Sequence, residues 1–473
     1  MAFGGAAVER GRPSRPKSRR YAHNVQLPGL FLAVMRTTVK GGWVGGLRHS
    51  GLMPAAPLVP VPLPLTWDRV RGHRLRRHGL LEQFPGGCAT QVASTVCGIH
   101  AQVGSAAALS LARRVRGAGS DLITDALWRD RSLVKTYGPR GTVHVFPAEE
   151  LSLWTAATRA LPEQRSAQPP AEGPPAPTQA QAEQLRTAVL SVTHRTRLTR
   201  SELGAAITAE CGPWVDTLAS AAWSTGWPHW RLAVDEAVAR GVLCYGPPQA
   251  NRVTFVRADE WLSDTTAQVW TAEDGALVGG APAVLVEVAR RYLAAYGPAT
   301  HQEFAQWFAM PAGAARQVYA ALGHELVAVD IEGTRSWVLA ASEPQDWEPI
   351  TDCVRLLGYF DCFAVGSHPR DELAPPEAAR RAAAHGRGFI KGSARRFLCG
   401  PLPVLLIDGV VSGVWTYRRQ GRAERAEQVR VEVFGRASSA LRGLLTEEVA
   451  RLCAVLDRDL TLSVGPADIA AHL

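Results

Sequence analysis

Lysine is nearly missing from this chain. Only four of its 52 basic residues are lysines, Lys17, Lys40, Lys135 and Lys391, and the others are arginines. Chemistry that needs an amine nucleophile is therefore confined, in the part of the sequence that reads as folded, to Lys135 and Lys391. Cysteine is present but unorganised. Cys88, Cys97, Cys211, Cys244, Cys353, Cys362, Cys399 and Cys453 are scattered with no CxxC pair. That pattern indicates neither a zinc site nor a disulfide framework, and it fits a reducing, cytoplasmic compartment. No apolar run reaches the roughly 18 to 20 residues that span a bilayer. The longest, LPGLFLAVM at 27–35, is followed by no small-residue cleavage site. A Walker loop, an HExxH helix and a GxSxG elbow are also missing. No metal, organic cofactor or membrane partner is expected.

What is there begins with charge. The formal net charge is +9, yet residues 1–50 hold nine Lys/Arg against the single acid Glu9, so the remainder is almost neutral. Residues 1–63 are rich in Gly, Pro and Arg without periodicity and read as a disordered basic tail. Met35 and Met53 are alternative starts within it. Two later windows are basic: twelve Arg/Lys against five acids over 66–145, and nine against three over 385–430. They are expected to form two walls of a nucleic-acid groove.

The folded part divides by composition and period. Residues 65–160 read as several helices closed by a hairpin, LVKTYGPRGTVHVF, with a Pro-Arg-Gly turn. Residues 161–181 form a Pro-rich linker. Residues 182–270 and 280–342 repeat the order helix, Thr-capped helix, helix, two strands. Residues 350–473 switch to strand period, with Asp408-Gly409 as a hairpin turn. The expected fold class is α+β: three tandem winged helix-turn-helix domains followed by a small C-terminal β-barrel.

Inside VCGIHAQVGSAAALS, His100 and Gln102 lie two residues apart between two Ala-rich helical runs. On the residues alone, a helix cap and a satisfied polar pair explain them best. The wider sequence alters that weighting. YGPRGTVHVFPAEEL, YGPATHQEFAQWF, LLGYFDCFAVGSH and VLLIDGVVSGVW occur in this order, and with GIHAQ they resemble the bacterial winged-helix DNA glycosylases typified by AlkZ and YcaQ. The resemblance covers about residues 65–465. GIHAQ falls on that family's catalytic motif, usually Gln-aliphatic-Gln or Gln-aliphatic-Asp. Here His100 stands in place of the first Gln, a variant known in the AlkZ-like branch, which is associated with self-resistance to bulky alkylating natural products.

The resemblance implies a monofunctional DNA glycosylase acting on double-stranded DNA that contains alkylated purines. The expected reaction is hydrolysis of the N-glycosidic bond of N7-alkylguanine carrying a bulky adduct, in an open groove and by a monomer. Its catalytic residues would be His100 and Gln102. DNA would meet Arg140 and His144 in the hairpin, Lys391, Arg395 and Arg396 in a Gly-broken cluster, and Arg418 and Arg419 at a strand end. Neutral catalytic groups suffice because N7 alkylation already makes the base a cationic leaving group. Water must still be placed near C1′ and an oxocarbenium-like sugar stabilised. The rival reading is a non-catalytic winged-helix regulator or damage sensor, which needs the basic faces but not the His-x-Gln pair.

Overall fold

The computed structural model describes residues 62–161, 177–220, 226–262, 277–385, 398–418 and 427–467. Three units share one topology. In the first, helices Ala89–Thr95 and Gly104–Ala112 and two helical turns over Leu122–Arg129 precede the hairpin Leu133–Tyr137/Val143–Pro147. The two-residue strand Ile99–His100 pairs with the second hairpin strand, giving the order short, second, first. The second unit repeats that order, with helices Gln179–Val192, Arg200–Cys211 and His229–Ala239 and strands Leu198–Thr199, Leu243–Gln249 and Arg252–Arg257. In the third, the helices are Ala283–Tyr296, His301–Phe308 and Ala312–Leu322, and the hairpin is Leu326–Ile331/Thr334–Leu339. There the short strand shrinks to a bridge between Ala299 and Trp337. Leu63–Leu65 adds in parallel to the outer hairpin strand, so the end of the segment read as tail is strand.

The helix starts explain why the repeat is legible. Thr199 and Thr300 each cap a helix and are capped in return by Glu202 and Glu303 three residues on, satisfying orphan backbone N–H groups from both sides.

The C-terminal part corrects one expectation. In place of the small barrel expected, the described strands form a half-barrel: one curled five-stranded sheet, in chain order from Val354–Leu357 to Leu460–Val464. Its last pair is parallel, and helix Ser439–Leu456 packs Leu445, Val449 and Leu452 against one face. Asp408 and Gly409 make its first hairpin with φ of 49° and 80°, the left-handed pair that matches strand twist. Only the start of CVRLLGYFDCFAVG is strand. Asp361 then caps a short helix, Cys362–Gly366, by accepting from the Phe363 amide.

The basic window over 66–145 is a second correction. Helix Trp67–Arg77 does carry arginines, but they turn to the protein. Arg74 and Arg77 donate to the carbonyls of Gly297, Pro298 and Ala294, the unsatisfied end of helix Ala283–Tyr296. Arg76 donates to the Glu348 carbonyl. Arg113 and Arg114, which end helix Gly104–Ala112, are buried in ion pairs with Glu448 and Asp361. Much of this charge is thus structural cement and not a groove wall.

The Arg114–Asp361 pair is fully buried and bidentate, at 2.7 and 2.9 Å, and Ser110 donates to the same carboxylate at 2.9 Å. Removing one partner of such a pair strands a charge, at a cost of about 3–5 kcal/mol, whereas removing both is far less costly. Arg114→Met is therefore expected to lower the thermal unfolding temperature sharply, and adding Asp361→Leu to recover much of the loss. Equal stability of the single variant and wild type in a calorimetric melt would contradict this.

Candidate active site

The site is built on the sheet of the first unit. His100 lies directly opposite His144 in the strand register, with ring centroids 4.1 Å apart. Alternation along the strands puts His100, Thr136, His144 and Phe146 on one sheet face. Phe146 continues the row to Trp154, with centroids 4.5 Å apart. Two glycines make the approach feasible. Gly98, at φ 94°, and Gly138 have the Phe146 ring where a Cβ would sit, and Gly138 also has His144 there, at 2.8 Å. The first glycine of GIHAQ is therefore a packing requirement.

The turn between the hairpin strands supplies the third group. Arg140 adopts φ 63°, ψ 13°, a left-handed conformation that costs a non-glycine residue roughly 1–2 kcal/mol. Its guanidinium is thereby directed inward, to the Trp307 carbonyl and to His100 Nε2 at 3.1 Å. Guanidinium has donors only, so Nε2 of His100 is the acceptor and its proton sits on Nδ1. That Nδ1 is buried with no acceptor among the described residues. His144 donates from Nδ1 to the Thr142 carbonyl at 2.8 Å, which leaves its Nε2 lone pair unprotonated.

Electrostatics agree with neutral rings. Burial, then His144, Arg140 and Arg370, hold His100 well below the ordinary imidazole value. Burial and then Arg140 take His144 down to about 3. Arg140 itself is lowered by burial and by Arg370 to about 10, so it stays cationic at neutral pH.

Gln102 differs from its neighbour. It is half-buried, and no side-chain hydrogen bond to it is found among the described residues. The helix that follows begins after Val103, with no side-chain cap. The helix-cap explanation of the His-x-Gln pair therefore fails: His100 is held by the hairpin turn, and Gln102 keeps its amide uncommitted.

The other expected residues are placed as follows. Arg140 and His144 belong to the same cluster as His100 and face inward. Arg418 ends the strand Val410–Arg418 opposite Gln428, on the C-terminal sheet. Lys391, Arg395, Arg396 and Arg419 lie outside the described residues. Lys135 is on the opposite face of the sheet from the histidines, over the Tyr245 ring at 5.4 Å, with its pKa lowered by burial to about 8. Two residues were not singled out from sequence, His368 and Arg370. His368 is buried and depressed by Arg370, Arg140 and Arg74 after burial itself. Arg370 donates to the Ala364 and Val365 carbonyls. The signal lies in the motif LLGYFDCFAVGSH, which ends in Ser367-His368.

With this geometry in place, similarity to known proteins defines the class. The family model for AlkZ-like DNA glycosylases matches residues 93–455. The chain belongs to the AlkZ-like DNA glycosylase family, and the protein is an N-glycosidic bond hydrolase, so the non-catalytic reading is not retained. Among curated proteins it is 28% identical over 372 residues to an interstrand DNA cross-link repair glycosylase of Streptomyces sahachiroi, covering 74% of this chain and 87% of that one. The solved structure of the DNA glycosylase AlkZ of Streptomyces sahachiroi matches with a TM-score of 0.65 at 25% identity, over 85% of this chain and 100% of the other. No helix among the described residues is long and apolar enough to cross a membrane.

His78, His100, His144 and His368 are all buried, and burial is the first cause holding each below the ordinary value. Unfolding restores values near 6.5, so below that pH the unfolded chain binds more protons. Stability is then complete above about pH 6.5 and falls as pH drops toward the folded values, by up to about 1.4 kcal/mol per pH unit for each group. The melting temperature is expected to fall continuously from pH 7 to pH 5. A flat profile over that range would show that these rings are not buried neutral.

Proposed function

We propose that the protein hydrolyses the N-glycosidic bond of N7-alkylated guanine in double-stranded DNA, acting on bulky natural-product adducts and on the interstrand cross-links for which its Streptomyces relative is named. The three repeated units are read as tandem winged helices that present the first hairpin and the His-x-Gln motif to the duplex, and the enzyme is read as a cytoplasmic monomer. The observation that carries the catalytic reading is the contrast within the motif: a buried neutral His100 held from behind by Arg140, beside a Gln102 amide with no hydrogen-bond partner among the described residues.

That contrast assigns roles. The cationic base leaves with the glycosidic electron pair and is neutralised by doing so, so no general acid is needed. The Gln102 carbonyl oxygen accepts from the attacking water and aims its lone pair at C1′, and the proton released on attack passes to solvent. The Nε2 lone pair of His100 is occupied by Arg140, so His100 serves as a neutral positioning group and not as the base. Because Lys135 is on the other face of the sheet, a Schiff base has no candidate among the described groups gathered at the site. The product is an intact abasic site.

Incubation with N7-alkylated duplex in EDTA is expected to yield abasic sites that break only after alkali or added endonuclease. A borohydride-trapped covalent adduct would refute the hydrolytic route. Single-turnover rates of wild type and His100→Gln are expected to be equally insensitive to pH between about 5.5 and 8. Burial holds the wild-type ring neutral, well below the ordinary imidazole value, and Gln does not titrate. An acidic limb present in wild type and absent in His100→Gln would instead make His100 the base.

A further inference from the structure

At the far end of the helix that begins beside Gln102 lies a cavity of about 370 Å³ whose lining includes Arg113, Arg116, Arg355 and Arg451, with Glu82 and Gln83. The helix from Gly104 to Arg113 rises about 1.5 Å per residue, so the cavity is well beyond hydrogen-bond reach of the catalytic pair. It is a separate place and does not depend on the excision reading.

The charges there do not close on themselves. Arg113 and Arg451 share one carboxylate, Glu448, which also accepts from the Leu356 amide, and Arg355 is 3.9 Å from it. Arg355 otherwise donates to the carbonyls of Leu80 and Val354. Arg116 is exposed and has no ion-pair partner among the described residues. Four guanidiniums thus face Glu82 and the already shared Glu448, an excess of two positive charges. Arg113 adds to the uncompensated charge. Its side chain is only 5% exposed, yet its Nε and Nη1 have no acceptor among the described residues. Buried donors in native proteins are nearly always satisfied, so an acceptor is implied.

We propose that this cavity binds a phosphate group, with the exposed head of Arg116 and the part-exposed head of Arg451 as its donors and Arg113 and Arg355 adding positive potential. Guanidinium suits that ligand because its fork of donors matches paired phosphate oxygens. The volume takes a phosphate or pyrophosphate and excludes a duplex, so the group arrives either as a free anion or as a backbone phosphodiester at the protein surface.

The test uses the full chain and Arg116→Ala, a substitution at an exposed, unpaired position. Calorimetric titration with inorganic pyrophosphate at constant ionic strength measures the free anion. Undamaged duplex titrated over a salt series measures the backbone. If the free anion is the ligand, wild type binds pyrophosphate saturably and Arg116→Ala binds it at least fivefold more weakly, with duplex affinity unchanged. If the backbone is the ligand, pyrophosphate competes with duplex, and Arg116→Ala weakens duplex binding and lowers the salt slope by about one. Pyrophosphate and duplex binding both identical in the two proteins would overturn the proposal.

Discussion

The buried pair between Arg114 and Asp361 fixes the frame in which the site is assembled. Both side chains are fully shielded from solvent, and the contact joins the helix that leaves the His-x-Gln motif to the turn that follows the first strand of the C-terminal sheet. Such a pair gives little net stability over an apolar substitute, because desolvation offsets most of the attraction. Its value is geometric: two hydrogen bonds in one plane, a third from Ser110 and a helix cap on the same carboxylate allow one arrangement. Asp361 lies seven residues before His368, so the contact that anchors the helix also places the segment carrying His368 and Arg370 beside the first hairpin.

Within that frame, Arg140 controls the character of the site. Its left-handed backbone directs a cation into a buried place, where it meets an imidazole lone pair and a carbonyl in place of a carboxylate. The consequence is a pair of neutral histidines beside a fixed positive charge. For the cationic lesion proposed as substrate, rings that stay neutral add no repulsion to that of Arg140. The uncommitted amide of Gln102 then supplies polarity without charge.

Much of the fold was legible because each repeated unit announces itself locally. Thr199 with Glu202 and Thr300 with Glu303 mark helix starts by chemistry that acts over three residues, and Asp408-Gly409 marks a hairpin by its backbone conformation. What was not legible depends on distant partners. The arginines at 74, 76 and 77 look like a DNA-facing stripe until helix Ala283–Tyr296 and Glu348 are seen to receive them. Arg113 and Arg114 look like surface charge until Glu448 and Asp361, more than 240 residues away, bury them. The place proposed for the site rests on GIHAQ and its resemblance. The inward turn of Arg140, and with it the tautomer of His100, could not be read from the sequence, since a positive φ at an arginine has no signature in composition or period.

The central claim is that Gln102, with His100 as the neutral positioning group beside it, directs hydrolysis of the glycosidic bond. Single-turnover excision of N7-alkylguanine from duplex DNA, measured beside duplex affinity for wild type, His100→Ala and Gln102→Ala, tests it most directly. The account requires each substitution to slow excision by at least about tenfold, within the usual range for such groups, with affinity almost unchanged. Wild-type excision rates in the double variant would contradict it.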